Sequence, residues 1–93
     1  FAVISLLNKI TADVNTLQIN LKENYIHDEL KIYAIDCYIS EPYEKKEIAV
    51  YLNIHSKKSM NKIFSGWMIK SLPSISSMEH PIYDIWVNDC FKL

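Results

Sequence analysis

Alternation of apolar and polar residues at a period of two restricts this chain more than any other feature. Leu17, Ile19 and Leu21 alternate with Gln18, Asn20 and Lys22, and Ile48, Val50, Leu52 and Ile54 alternate with Ala49, Tyr51, Asn53 and His55. Successive side chains of an extended strand point to opposite faces, so each segment reads as a half-buried strand with one inner face. Leu30–Ile39 (LKIYAIDCYI) is apolar on both faces and reads as a central strand covered on both sides. Val3–Ile10, Ile63–Ile69 and Pro81–Val87 complete a set of about six strands, and the abundance of Ile, Val and Tyr suits them.

Turn chemistry separates the strands. Thr11–Asn15 is expected to close a hairpin between the first two, and Lys22-Glu23-Asn24 and His27-Asp28-Glu29 surround a loop after the second. Ser40–Glu47 is a charged, Pro-containing loop, Ser56–Ser59 a solvent turn, and Ser71–Ser77 a Ser-rich crossover with room for one helical turn after Pro73. The chain has one Gly, so Asn15, Asn24 and Asp28 are expected to supply positive φ where turns require it. The pattern predicts an all-β fold: a small antiparallel β-sandwich or partly open barrel of six to eight strands, one domain over residues 1–93.

Composition excludes several function classes. The net charge is −1, Arg is absent, and Lys45-Lys46 and Lys57-Lys58 are isolated pairs rather than a basic stripe. Arg is the usual reader of guanine edges and clamp of phosphates, so no nucleic-acid partner is expected. No run approaches the ~20 apolar residues of a membrane span. The apolar opening Phe1–Leu7 reads as a strand rather than a signal peptide, lacking a charged leader and a small-residue cleavage site. The two cysteines, Cys37 and Cys90, each end a strand-like run. From the residues alone, one disulfide and two buried thiols are both open readings.

The chemistry-bearing residues crowd into Phe64–Cys90, which holds Gly66, both tryptophans (Trp67, Trp86), and Glu79-His80-Pro81 followed by Asp84. Pro81 forces His80 into extended backbone and starts a strand on which Ile82, Asp84 and Trp86 share one face and Tyr83, Ile85 and Val87 the other. As a catalytic constellation, His80 would be a general base oriented by Glu79 or Asp84. As a structural one, these side chains satisfy loop amides and hold the crossover against the sheet, and this is the favoured reading. Ser71, Ser74, Ser76 and Ser77 lie near His80 in sequence, but none sits in a Gly-x-Ser-x-Gly elbow. Cys37 in an apolar strand would have its thiol pKa raised, which disfavours a Cys–His pair. His27, His55 and His80 are too scattered for a metal site, and no cofactor is expected. In Phe64-Ser65-Gly66-Trp67-Met68, Gly66 marks a bulge or a close backbone approach. Trp67 and Trp86 read first as core anchors, and second as part of an aromatic recognition surface with Tyr83.

FSGWM, a Ser/Pro stretch and MEHPIYDIWVNDC together resemble the signature of the bacterial family catalogued as domain of unknown function 2155. Ala2-Val3-Ile4 with Leu7–Ala12 is similar to that family's opening segment, and Leu30-Lys31-Ile32 through Cys37 to its middle strand. Lys70, and a Ser40–Glu47 loop poorer in Pro, depart from the pattern. The family's cysteine positions fall on Cys37 and Cys90. The resemblance implies an alphaproteobacterial, exported, periplasmic protein, and hence a Cys37–Cys90 disulfide in an oxidising compartment. It implies no activity. Gly66, Trp67, Met68, Glu79, His80, Tyr83, Asp84 and Trp86 form the candidate cluster. With no catalytic set assembled, they are expected to serve a binding or assembly-accessory module with an envelope protein or glycan partner. The alternative is a small hydrolase or isomerase built on His80.

Overall fold

The computed structural model describes residues 1–40, 46–72, 78 and 80–92. Among the described residues, seven strands run β1 (Ala2–Asn8), β2 (Val14–Ile19), β3 (Asn24–His27), β4 (Leu30–Ser40), β5 (Glu47–Ser56), β6 (Lys62–Ile69) and β7 (Tyr83–Cys90). They form a three-stranded sheet, β2-β1-β7, and a four-stranded sheet, β3-β4-β5-β6, with every pair antiparallel. The fold is the small all-β sandwich that the alternation predicts. Most of the Ser40–Glu47 loop, the Pro73–Ser77 stretch with its expected helical turn, and Glu79 lie outside the described residues.

The alternating rows become the core. Ile48, Val50, Leu52 and Ile54 of β5 are fully buried, facing Ile4, Leu6, Leu17 and Ile19 of the other sheet's inner face and Tyr83, Ile85 and Val87 of β7 within one apolar cluster. Burying each such aliphatic side chain contributes roughly 1.5–3 kcal/mol. The inner rows are thereby fully committed to the fold.

Two expectations about strands are corrected. The segment around Tyr25-Ile26 is a short strand, not a loop: β3 pairs with β4 from Asn24↔Tyr33 to His27↔Leu30, and Asp28 (φ 51°) makes the tight turn between them. β4 is not covered on both faces. Leu30, Ile32 and Ala34 are buried, whereas Asp36 and Tyr38 are exposed and Lys31 and Tyr33 half-buried.

A one-residue bulge accounts for that misreading. Ala34 pairs with Leu52 and Asp36 with Tyr51, so Ile35 is the extra residue. Strict alternation from Leu30 would send Asp36 inward and Cys37 outward; the bulge exchanges them. The same device recurs in β7. Val87 pairs with Ile4 and Asp89 with Val3, leaving Asn88 extra, and Cys90 turns inward. Each cysteine is thus the last of a bulge-Asp-Cys triplet, Ile35-Asp36-Cys37 and Asn88-Asp89-Cys90. In each, the Asp Oδ1 accepts the N–H of its own cysteine at 2.8 Å. Cys37 and Cys90, both buried, form the disulfide that joins the sheets.

Each aspartate is held by a lysine. Lys92, two residues past Cys90, reaches Asp36 at 2.9 Å, and Lys46, at the entry to β5, reaches Asp89 at 3.1 Å. The Lys92 bond and the Cys37 amide hold the Asp36 carboxyl below its ordinary range. For Asp89, desolvation pushes upward, but the Cys90 amide and Lys46 outweigh it and the net shift is downward. Both pairs are substantially exposed, so they orient the termini of the disulfide region more than they stabilise the fold.

Turn chemistry also differs from expectation. Asp28 has positive φ, but Asn15 and Asn24 lie within strands, and Ala12, Lys22 and Met60 take the left-handed positions instead. Hydrogen bonding supports two of these turns. Ala12 N–H reaches Asn8 O at 2.7 Å, with Asn8 Oδ1 also accepting from Ile10 and Thr11, and Lys22 N–H reaches Ala34 O at 2.7 Å. Gly66 is not a bulge. The β5–β6 ladder runs unbroken through Leu52↔Gly66, and the irregularity falls at Ile63. Nor is Gly66 forced by crowding, since an added Cβ would lie 3.8 Å from the Phe64 ring; its φ of 151° is what demands glycine.

Candidate functional site

The structure divides the candidate cluster between the two sheets. Gly66, Trp67 and Met68 lie on β6, at the edge of the four-stranded sheet; Tyr83, Asp84 and Trp86 lie on β7, at the edge of the other. Met68 and Tyr83 are buried core, Trp86 is half-buried on the outer face of its sheet, and Trp67 is 44 % exposed. Neither tryptophan is therefore the core anchor expected of it, and Trp67, Tyr83 and Trp86 do not share one surface.

At the β7 entry, His80 serves the loop. Its Nδ1 accepts the backbone N–H groups of Ile82 and Tyr83, each at 3.1 Å. A nitrogen that accepts two N–H groups carries no proton of its own, so the ring proton sits on Nε2 and no free lone pair remains to abstract one from a substrate. The His80 carbonyl accepts from Lys9 Nζ at 2.8 Å, and the Ile82 carbonyl accepts Lys9 N–H at 2.7 Å. These bonds dock the β7 lead-in onto the β1–β2 turn and explain why β7 begins at Tyr83 rather than Pro81. Asp84 Oδ1 accepts the adjacent Ile85 N–H at 3.0 Å. Ser71 is bound to the Glu47 carboxylate, 2.8 Å to each oxygen, and Ser74, Ser76 and Ser77 lie outside the described residues. Among the described residues, His80 and Asp84 are thus occupied in holding backbone, and Ser71 in holding the Glu47 carboxylate.

Tyr83 closes this end of the sandwich. Its hydroxyl donates to Asp28 Oδ2 at 2.6 Å, and its ring centroid lies 6.2 Å from the imidazole of His27, edge to face, and 5.5 Å from that of His80. The Asp28 bond, with burial, pushes the phenol up to about 12. Asp28, Glu29, Lys57, Lys58 and Tyr83 line a cleft of about 460 Å³ beside it. A phenol whose proton is committed to a carboxylate ties β7 to the β3–β4 turn and is a poor acid. Among the described residues, no three His, Cys, Asp or Glu side chains converge as metal ligands.

The surface with recognition chemistry is the outer face of the four-stranded sheet, most of which the sequence reading passed over. Register places Asp36, Tyr51 and Trp67 in one row across β4, β5 and β6, with Tyr38 and Ala49 in the next row and Tyr33 and Asn53 in the row on the other side. Tyr38 is 62 % exposed, and Trp67 meets Tyr51 edge to face with centroids 5.3 Å apart. Asn24, Lys31, Tyr33, Asn53, His55 and Met60 line a cleft of about 190 Å³ at the β3 side of this face. Ser65 Oγ donates to Asn53 Oδ1 at 2.6 Å, fixing the Asn53 amide with its NH₂ as donor. The legible signal was a tyrosine and an asparagine standing where a solvent-facing row needs only charge.

Among the described residues no helix is long and apolar enough to cross a membrane. An uncharacterized protein of Rickettsia prowazekii (strain Madrid E) is 33 % identical over 88 residues, 91 % of this chain and 57 % of that protein, so the chain spans just over half of the relative's length. No solved structure matches the chain. The model of the DUF2155 family, described as an uncharacterized protein conserved in bacteria, matches residues 2–90, and the chain belongs to that family.

Proposed function

We propose that this chain is a non-enzymatic binding module of the bacterial cell envelope, exported to the periplasm, that engages a glycan through the outer face of the four-stranded sheet. One observation carries the reading: Trp67 and Tyr38 are exposed beside Tyr33 and Tyr51 on a sheet whose inner rows already supply the core. A large aromatic left in water by a fold that does not need it is the usual mark of a recognition surface. Interleaved Asn24, Asn53 and Ser65 favour a glycan. Aromatic faces stack on the C–H faces of sugar rings, while amides and hydroxyls share hydrogen bonds with the ring hydroxyls. The buried disulfide supports an oxidising compartment.

Co-sedimentation with isolated, protease-treated envelope polysaccharide tests this. Wild-type protein is expected in the pellet. The Trp67→Ala/Tyr38→Ala variant is expected to bind about tenfold less while its Tm moves only a few degrees, since exposed substitutions rarely change stability by more than ~0.5 kcal/mol each. Retention that disappears when the envelope is protease-treated would assign the surface to a protein partner instead. Unfolding of the variant would return both aromatics to a structural role.

A further inference from the structure

We infer that the cleft beside Tyr33 holds one carboxylate-bearing sugar ring of that glycan; the inference rests on the glycan reading and adds to it the charge of the ligand. The cleft floor is built by register from three strands: Asn24 of β3 stands opposite Tyr33 of β4, Tyr33 opposite Asn53 of β5, and Lys31 opposite His55. Met60, exposed and held at positive φ in the β5–β6 turn, forms the wall.

Size comes first. At about 190 Å³ the cleft is smaller than the ~300 Å³ at which drug-sized pockets begin and matches a single ring rather than a folded peptide segment. Charge comes second. An ammonium and an imidazole line the cleft, no carboxylate does, and among the described residues neither Lys31 nor His55 enters an ion pair. A basic group with no protein partner, in a concavity without acids, is complemented by an anionic ligand group. The third point is the neutral set. Asn53, its carbonyl taken by Ser65, presents its NH₂, and the Asn24 amide and Tyr33 hydroxyl offer both donor and acceptor capacity. Bare inorganic anions have no use for that set, whereas the hydroxyls around a uronic-acid ring do. From the same face, the row carrying Tyr51 and Trp67 continues as a stacking surface for the next ring of the strand.

Calorimetric titration of the whole chain with a hyaluronan tetrasaccharide, which alternates glucuronate and acetamido sugars, tests the inference against uncharged chitotetraose, acetate and inorganic phosphate. The glucuronate oligomer is expected to bind about tenfold tighter than chitotetraose. Lys31→Met is expected to erase that difference, and Asn53→Ala to weaken both sugars. Equal binding of the two oligosaccharides, or a preference unchanged by Lys31→Met, would overturn the inference while leaving the glycan surface standing. Acetate or phosphate displacing the tetrasaccharide at equal concentration would reduce the cleft to a general anion site and overturn it too. Failure of every sugar, together with loss of envelope binding, would instead remove the underlying glycan reading.

Discussion

The Cys37→Ala/Cys90→Ala variant is expected to melt about 15–30 °C below the wild type. A cross-link spanning 53 positions removes, on the chain-entropy estimate, about 4 kcal/mol of unfolded-state freedom. A domain of this size moves about 4–8 °C in Tm per kcal/mol. The effect is large because the chain is small, and a single bond that joins the two sheets is a substantial share of a total stability of ~5–15 kcal/mol. Replacing both residues, rather than adding reductant, avoids the question of access to a buried bond. Calorimetric melting of the oxidised wild type and the variant at one pH measures the difference. A drop of only a few degrees would mean that β4 and β7 are held by packing alone and that the disulfide is incidental.

Deleting Ile35 is expected to leave that disulfide intact. With the extra residue gone, Ala34 still pairs with Leu52, and Asp36 and Cys37 follow it in unbroken alternation, Asp36 outward opposite Tyr51 and Cys37 inward opposite Val50. The penalty is then limited to the half-buried Ile35 side chain and the local twist that the bulge supplies, about 1–3 kcal/mol. Ile35→Ala keeps the residue count, and so keeps the bulge; it is expected to retain the disulfide with a change in stability of about 1 kcal/mol, as befits a half-buried side chain. Thiol titration under denaturing conditions, with no reductant, tests both variants. Neither the deletion variant nor Ile35→Ala should show a reactive thiol. A deletion variant with two reactive thiols per chain would show that the shape of the bulge itself, and not the pairing of β4 with β5 on either side of it, aligns Cys37 with Cys90.

The bulges also explain what was legible in the sequence and what was not. β2 and β5 keep their phase from end to end, so Leu17, Ile19, Ile48, Val50, Leu52 and Ile54 could be placed inside by counting alone. β4 changes phase at Ile35. Its two half-rows, Leu30-Ile32-Ala34 and Cys37-Ile39, superimpose in the sequence as a strand apolar on both faces, although one face is largely exposed. A one-residue insertion leaves no compositional trace; only the pairing partner reveals it. Trp67 was misassigned for a different reason. Alternation correctly set it opposite Gly66 and Met68, but a tryptophan carries a strong expectation of burial, and that outweighed the phase. His80 was legible because Pro81 fixes its backbone and a following strand needs its first amides capped. The aromatic face was dispersed over three strands, Tyr33, Tyr51 and Trp67, and becomes a surface only once register is known.

The two tryptophans give the most direct measurement of the central claim, that the inner faces of this sandwich make the fold while the outer face of β4–β6 receives the partner. They lie on different sheets, Trp67 on β6 and Trp86 on β7, so each can report alone. Fluorescence of the Trp86→Phe protein, with Trp67 as sole reporter, is followed as isolated envelope glycan is added, alongside the Trp67→Phe protein, in which Trp86 is the reporter. The expected result is a saturable change in Trp67 emission and none in Trp86. A response from Trp86 alone, or from neither in a preparation that binds the glycan, would contradict the account.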